Sequence, residues 1–103
     1  MLQNPIGILQ TNTEVPGSFA LSQNFPNPFN PTTKIKFQIP KSGLIKLIIY
    51  DALGREVQTL VNEQLSPGTY QADFDGTNLS SGIYYYKLES ADYTETKKMV
   101  LIK

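Results

Sequence analysis

An all-β module of sandwich type, with about seven antiparallel strands, is the fold this sequence predicts. Three observations carry the prediction. From Ser18 onward, short β-rich runs alternate with Gly, Pro, Asn and Asp punctuation about every 8–12 residues, the spacing of sandwiches and barrels. No stretch sustains the 3.6-residue periodicity of a helix. The chain has 103 residues, 40% hydrophobic and 17% charged, which suits one domain with a thin core and not a disordered tail.

The elements follow in order. Residues 1–17, MLQNPIGILQTNTEVPG, mix Asn, Thr, Gln, Pro and Gly without periodicity and read as a mobile linker. Phe19–Gln23 is a short strand. Thr33–Ile39 alternates cleanly, with Ile35, Phe37 and Ile39 on one face and Lys34, Lys36 and Gln38 on the other. Pro40 ends it, because proline has no amide hydrogen to give a ladder. Leu44–Tyr50 is apolar on both faces except at Lys46, as a central strand should be. Asp51 to Gly54 is a turn with the Asp-first, Gly-last preference of type I. Arg55–Leu65 loses its phase near Leu60 and Val61, which predicts a bulge. After a Ser66-Pro67-Gly68 turn, Thr69–Phe74 sets Tyr70, Ala72 and Phe74 against Gln71 and Asp73. Asp75–Gly82 is a polar loop. Ile83–Glu89 carries Tyr84, Tyr85 and Tyr86, the middle one facing away from its neighbours. Tyr93–Ile102 closes the series.

Composition excludes several functions. The chain has no histidine, hence neither the commonest general base nor the commonest metal ligand. It has no cysteine, hence no disulfide and no thiolate site. Nine basic and nine acidic residues cancel, which argues against a nucleic-acid binder. No apolar run approaches the ~18 residues of a membrane span. Residues 1–10 lack the basic start and apolar stretch of a signal peptide. The chain therefore reads as a fragment whose parent carries any export signal. Neither catalysis nor a cofactor is expected, and a monomer is the expected state.

Other motifs in the chain carry weaker signals. Asp73 and Asp75 share one strand face, so they are surface charges before they are a catalytic pair across a cleft. Asp73-Phe74-Asp75-Gly76 begins like a calcium loop, but its twelfth position is Tyr84 where a Glu is required. Asn78-Leu79-Ser80 fits the three-residue glycosylation sequon only formally. The tyrosine trio would suit sugar stacking, and equally suits strand packing. Asn24 to Thr32, NFPNPFNPT, has three prolines that favour an extended crossing, with Phe25 and Phe29 as anchors beneath it. In the last strand Met99, Val100, Leu101 and Ile102 are apolar, with Lys97, Lys98 and Lys103 around them. That reads as a closing edge strand or as a segment that something else recognises.

Taken together, NFPNPFNPTTKIKFQIP, LIIYDALGREVQTLV, LSPGTYQADFDGTNLSSGIYYYKLES and the terminal TKKMVLIK resemble the type A C-terminal sorting domain of the type IX secretion system. The resemblance covers about residues 18–103, leaving 1–17 as a linker from upstream cargo. It implies an immunoglobulin-like β-sandwich in a protein of Bacteroidetes or a relative. It also implies partners: a translocon that carries folded cargo from the periplasm across the outer membrane, and a cell-surface, sortase-like cysteine peptidase that removes the domain. The cargo would end extracellular or attached to surface lipopolysaccharide. By analogy the recognition residues are Pro67, Gly68, Tyr70, Gly82, Tyr84, Lys97, Lys98, Met99, Val100, Leu101, Ile102 and Lys103. Gly17–Ser18, or a site near Gly7, is the expected cut. A passive structural or carbohydrate-binding module on a hydrolase is the alternative, and self-association through edge strands is a third possibility.

Overall fold

Period-two patterning explains the two layers seen in the computed structural model, which describes residues 8–103. The strands are β1 (Ile8–Asn12), β2 (Ala20–Leu21), β3 (Thr32–Ile39), β4 (Gly43–Asp51), β5 (Glu56–Leu65), β6 (Gly68–Asp75), β7 (Gly82–Glu89) and β8 (Thr94–Leu101). They form two antiparallel sheets, ordered β1-β6-β3-β2 and β5-β4-β7-β8. The all-β sandwich expectation holds. The eighth strand comes from the stretch read as linker.

Inward-facing residues of both sheets meet in one core. Ile35, Phe37 and Ile39 of β3 and Tyr70, Ala72 and Phe74 of β6 supply one side. Ile45, Leu47 and Ile49 of β4, with Tyr84, Tyr86 and Leu88 of β7, supply the other. The tyrosine trio divides as alternation requires: Tyr84 and Tyr86 are buried, and Tyr85 faces out and is half-buried. Phe37 and Tyr70, partners across β3 and β6, stack with centroids 5.5 Å apart. β4 is central and pairs on both edges, and on its outward face Ile48 is buried while Leu44 is exposed.

Turn chemistry behaves as read. Gly54 donates its amide to Asp51 O at 2.9 Å and has φ +84°. Asp51 Oδ1 also accepts from the amides of Leu53 and Arg55, both at 2.9 Å, and Oδ2 accepts from Arg55 Nε at 2.8 Å. Those donors hold the Asp51 carboxyl below its ordinary pKa, the Arg55 amide foremost. The bulge falls at Leu60: Leu47 pairs with Val61 and Ile48 with Thr59, leaving Leu60 between them. Leu60 and Val61 are consequently both buried.

Two expectations are corrected. Within the segment read as a linker, Ile8–Asn12 form a strand: β1 pairs with β6, Ile8 opposite Ala72 and Leu9 opposite Gln71. Four of its five residues are exposed, so no alternation announced it. The proline segment is not extended. Residues 26–28, 30 and 31 are bends, and the Phe25-Pro26, Asn27-Pro28 and Asn30-Pro31 peptides are cis. Phe29 is buried as expected, but Phe25 is 79% exposed.

Candidate functional site at the terminal strand

β8 lies at the edge of its sheet and pairs with β7 along its whole length, from Glu89↔Thr94 to Gly82↔Leu101. Alternation turns Met99 and Leu101 into the core and leaves Lys98 exposed and Val100 half-buried. Ile102 and Lys103 beyond it are exposed. An edge strand normally offers its outer row of amides and carbonyls to any passing strand. Here the last part of that row is taken.

The proline segment takes it. Phe29 donates its amide to Val100 O at 2.9 Å and accepts the Ile102 amide at 2.9 Å, making one parallel bridge opposite Leu101. Asn27 Oδ1 accepts the Val100 amide at 3.0 Å. Gln23 Nε2 reaches Lys98 O at 2.7 Å. The Phe29 ring goes beneath, meeting Phe74 edge-on with centroids 5.8 Å apart. The segment read from the sequence as an extended crossing thus clamps the terminal strand through Gln23, Asn27 and Phe29.

A buried polar network holds the clamp. Asn24 donates its amide to Tyr86 Oη at 2.8 Å, and that hydroxyl donates to Ser22 O at 2.7 Å. Asn24 Nδ2 bonds Thr33 Oγ1 at 3.0 Å and Pro26 O at 3.1 Å, and Thr33 Oγ1 also donates to Pro26 O at 2.8 Å. Asn24 and Thr33 are the buried polar residues of the core, and no buried side-chain polar atom among the described residues lacks a partner. A network satisfied throughout fixes one conformation. Burial pushes the Tyr86 hydroxyl up to about 12, so it stays a donor at any ordinary pH.

The two ends of the strand are tied as well. Lys103 donates its amide to Ser81 Oγ at 3.0 Å, and its ammonium bonds Leu79 O at 2.6 Å and Thr77 O. Asp75 accepts from the Thr77 hydroxyl and from the Thr77 amide at 2.9 Å; the hydroxyl foremost, they hold its carboxyl below the usual range with help from Lys103. At the other end Glu95 accepts the Tyr93 hydroxyl and pairs with Lys97 Nζ at 3.3 Å. The Tyr93 bond lowers Glu95. Burial and Glu95 push Tyr93 up to about 12.

The remaining sequence candidates resolve into two copies of one corner. Tyr70 Oη donates to Ser66 O at 2.7 Å, and Tyr84 Oη donates to Ser80 O at 2.7 Å. Each corner has glycine two residues before the tyrosine, Gly68 at φ +151° and Gly82 at φ +153°. The signal was present as Ser-x-Gly-x-Tyr at 66–70 and again at 80–84. A tyrosine whose hydroxyl returns to an upstream carbonyl pins the entry to a strand. Gly82 and Tyr84 lie beside the terminal strand, opposite Leu101 and Met99. Pro67, Gly68 and Tyr70 do not. They sit at the start of β6, while Gly76, just past its end, lies against Leu101, and eight residues of strand separate the two by roughly 26 Å.

Gly17 and Ser18 are exposed in the connection between β1 and β2, where Ser18 O accepts Gln38 Nε2 at 3.1 Å. Gly7 lies outside the described residues. Asp73 is occupied by Lys34 at 3.2 Å, and no group of three potential metal ligands occurs among the described residues.

The model of the secretion system C-terminal sorting domain matches residues 23–103, the span holding the clamp, both corners and the terminal strand. The chain belongs to that family. The sorting domain is a type IX secretion signal, and its family is not catalytic. Membership implies an interaction with the type IX secretion system and export to the cell surface or extracellular space. Bacteroidetes and the outer membrane follow from the family too. No curated protein matched the chain.

Proposed function

We propose that the sorting domain acts by being read as a folded module, and that the translocon reads the clamped terminal strand. The supporting observation is the clamp. It holds Lys98, Val100 and Ile102 on a fixed backbone, with Lys103 tied beyond it to Ser81, and an epitope ordered in advance loses less entropy when bound. Gly82 and Tyr84 support that strand from β7. Pro67, Gly68 and Tyr70 serve recognition indirectly, by fixing the fold. In this reading residues 18–103 are the signal and residues 1–17 the approach from an upstream cargo. Folded cargo passes from the periplasm across the outer membrane. A sortase-like peptidase then cuts at Gly17–Ser18, and cargo is released or joined to lipopolysaccharide.

The test is a reporter with its own export signal, fused ahead of residues 1–103 in a type IX-competent bacterium. Removing Met99–Lys103 would also remove two core side chains, so it tests fold and recognition together. The combined variant Lys98→Ala, Val100→Thr, Ile102→Ser changes only outward groups. Export is expected to fall by tenfold or more while thermal unfolding barely moves. Undiminished export by that variant would sink the reading.

A further inference from the structure

The outer edge of β6 carries a fitted groove for an extended strand. β1 lies in it, with Gln10 opposite Tyr70 and Asn12 opposite Thr69 across a bulge at Thr11. Gln10 Nε2 donates to Pro67 O at 3.2 Å, and Thr11 Oγ1 to Thr69 O at 3.4 Å. Ile8 is buried beside Ala72. At Gly68 the fit leaves no room for a side chain: a Cβ there would stand 2.7 Å from Asn12 O and 2.3 Å from Gln10 Nε2. Yet β1 lies outside residues 23–103, the span that the family model matches. Its remaining four residues are exposed, as are 13–15, 17 and 18 after it.

We propose that the β6 edge is a reversible strand-binding site, filled by the chain's own segment Ile8–Asn12 while the chain is whole and vacated when the 13–18 connection is cut. A five-residue strand with one buried apolar side chain is a weak ligand as a separate molecule. Attached through a short connection it acts at an effective concentration of about millimolar, which keeps the groove filled. Cutting the connection removes that advantage. The cut then frees β1 together with whatever precedes it, and it uncovers the amides and carbonyls of β6 for an extended peptide. A cut ahead of Ile8 would leave the groove filled. The inference deepens the cleavage reading above, but the groove exists whether or not a peptidase cuts there.

The test keeps those two questions apart. A recognition sequence for a specific protease is inserted in the 13–17 connection of the full chain, which is labelled for amide NMR and then cut. The β1 fragment is expected to separate on gel filtration at micromolar concentration. Thr69 and Gln71 amides should shift while those of β4 and β7 stay in place. A synthetic peptide of residues 8–14, added to millimolar concentration, should return them to their original positions. The same peptide carrying Ile8→Asp should bind at least tenfold more weakly. Co-elution of the fragment through repeated filtration, collapse of the β4 and β7 signals, or no peptide response at Thr69 and Gln71 would each overturn the proposal.

Discussion

Phe29 and Leu101 face each other across a single parallel bridge, and that bridge closes the outer edge of the terminal strand. The Phe29 backbone supplies both hydrogen bonds, and its ring fills the core beside Phe74. Phe29→Ala is therefore expected to cost about 3–5 kcal/mol, the range for truncating a buried aromatic. Amide exchange at Ile102 should rise with it, because the bridge loses its support. Denaturant unfolding and hydrogen exchange read the two effects separately. Unchanged protection at Ile102 would mean that the clamp does not hold the strand.

Tyr86 is the post on which the clamp stands. Tyr86→Phe removes the acceptor of the buried Asn24 amide and the donor to Ser22 O. An expected loss of about 1–3 kcal/mol follows from leaving those groups unpaired. Chemical denaturation would measure it. A loss under half a kilocalorie would show that water replaces the hydroxyl.

High pH should expose the same residue. Tyr86 and Tyr93 both ionise near 12 in the folded chain, against an ordinary value of 10. Raised values mean that the folded state keeps protons that the unfolded state gives up. The stability involved is complete below pH 10 and is lost as pH climbs from 10 to 12. Tyrosinate absorbance should show at least two of the six tyrosines titrating late, with unfolding beginning in that window. In Tyr86→Phe, one late titration should disappear.

The paired corners allow a comparison of strain with crowding. A Cβ at Gly82 meets nothing within 4 Å, so Gly82→Ala isolates the cost of the positive φ, about 1–3 kcal/mol. Gly68→Ala carries the same strain and adds the encounter with Asn12 and Gln10. It should be the more damaging of the two in thermal unfolding. Equal losses would show that β1 gives way freely.

The strands were largely legible in the sequence because side-chain alternation is local. Ile35, Phe37 and Ile39 announce a face within seven residues, Pro40 announces its end, and the broken phase at Leu60 announces a bulge. Ile8–Asn12 stayed hidden because only Ile8 is buried, and its pairing belongs to β6, some sixty residues on. The Asn-Pro-Phe-Asn-Pro run was conspicuous but mute. Its backbone groups bond to Val100 and Ile102, and no local pattern records such partners.

An all-β module, most of its strands and, through its motifs, its family are legible in the order of the residues. Burial periodicity and turn chemistry are written residue by residue, so they survive without coordinates. How the terminal strand is held and what occupies the edge of β6 emerge with the folded chain alone. Both depend on hydrogen bonds between segments far apart in the chain, and those bonds exist only once the two sheets have closed on each other.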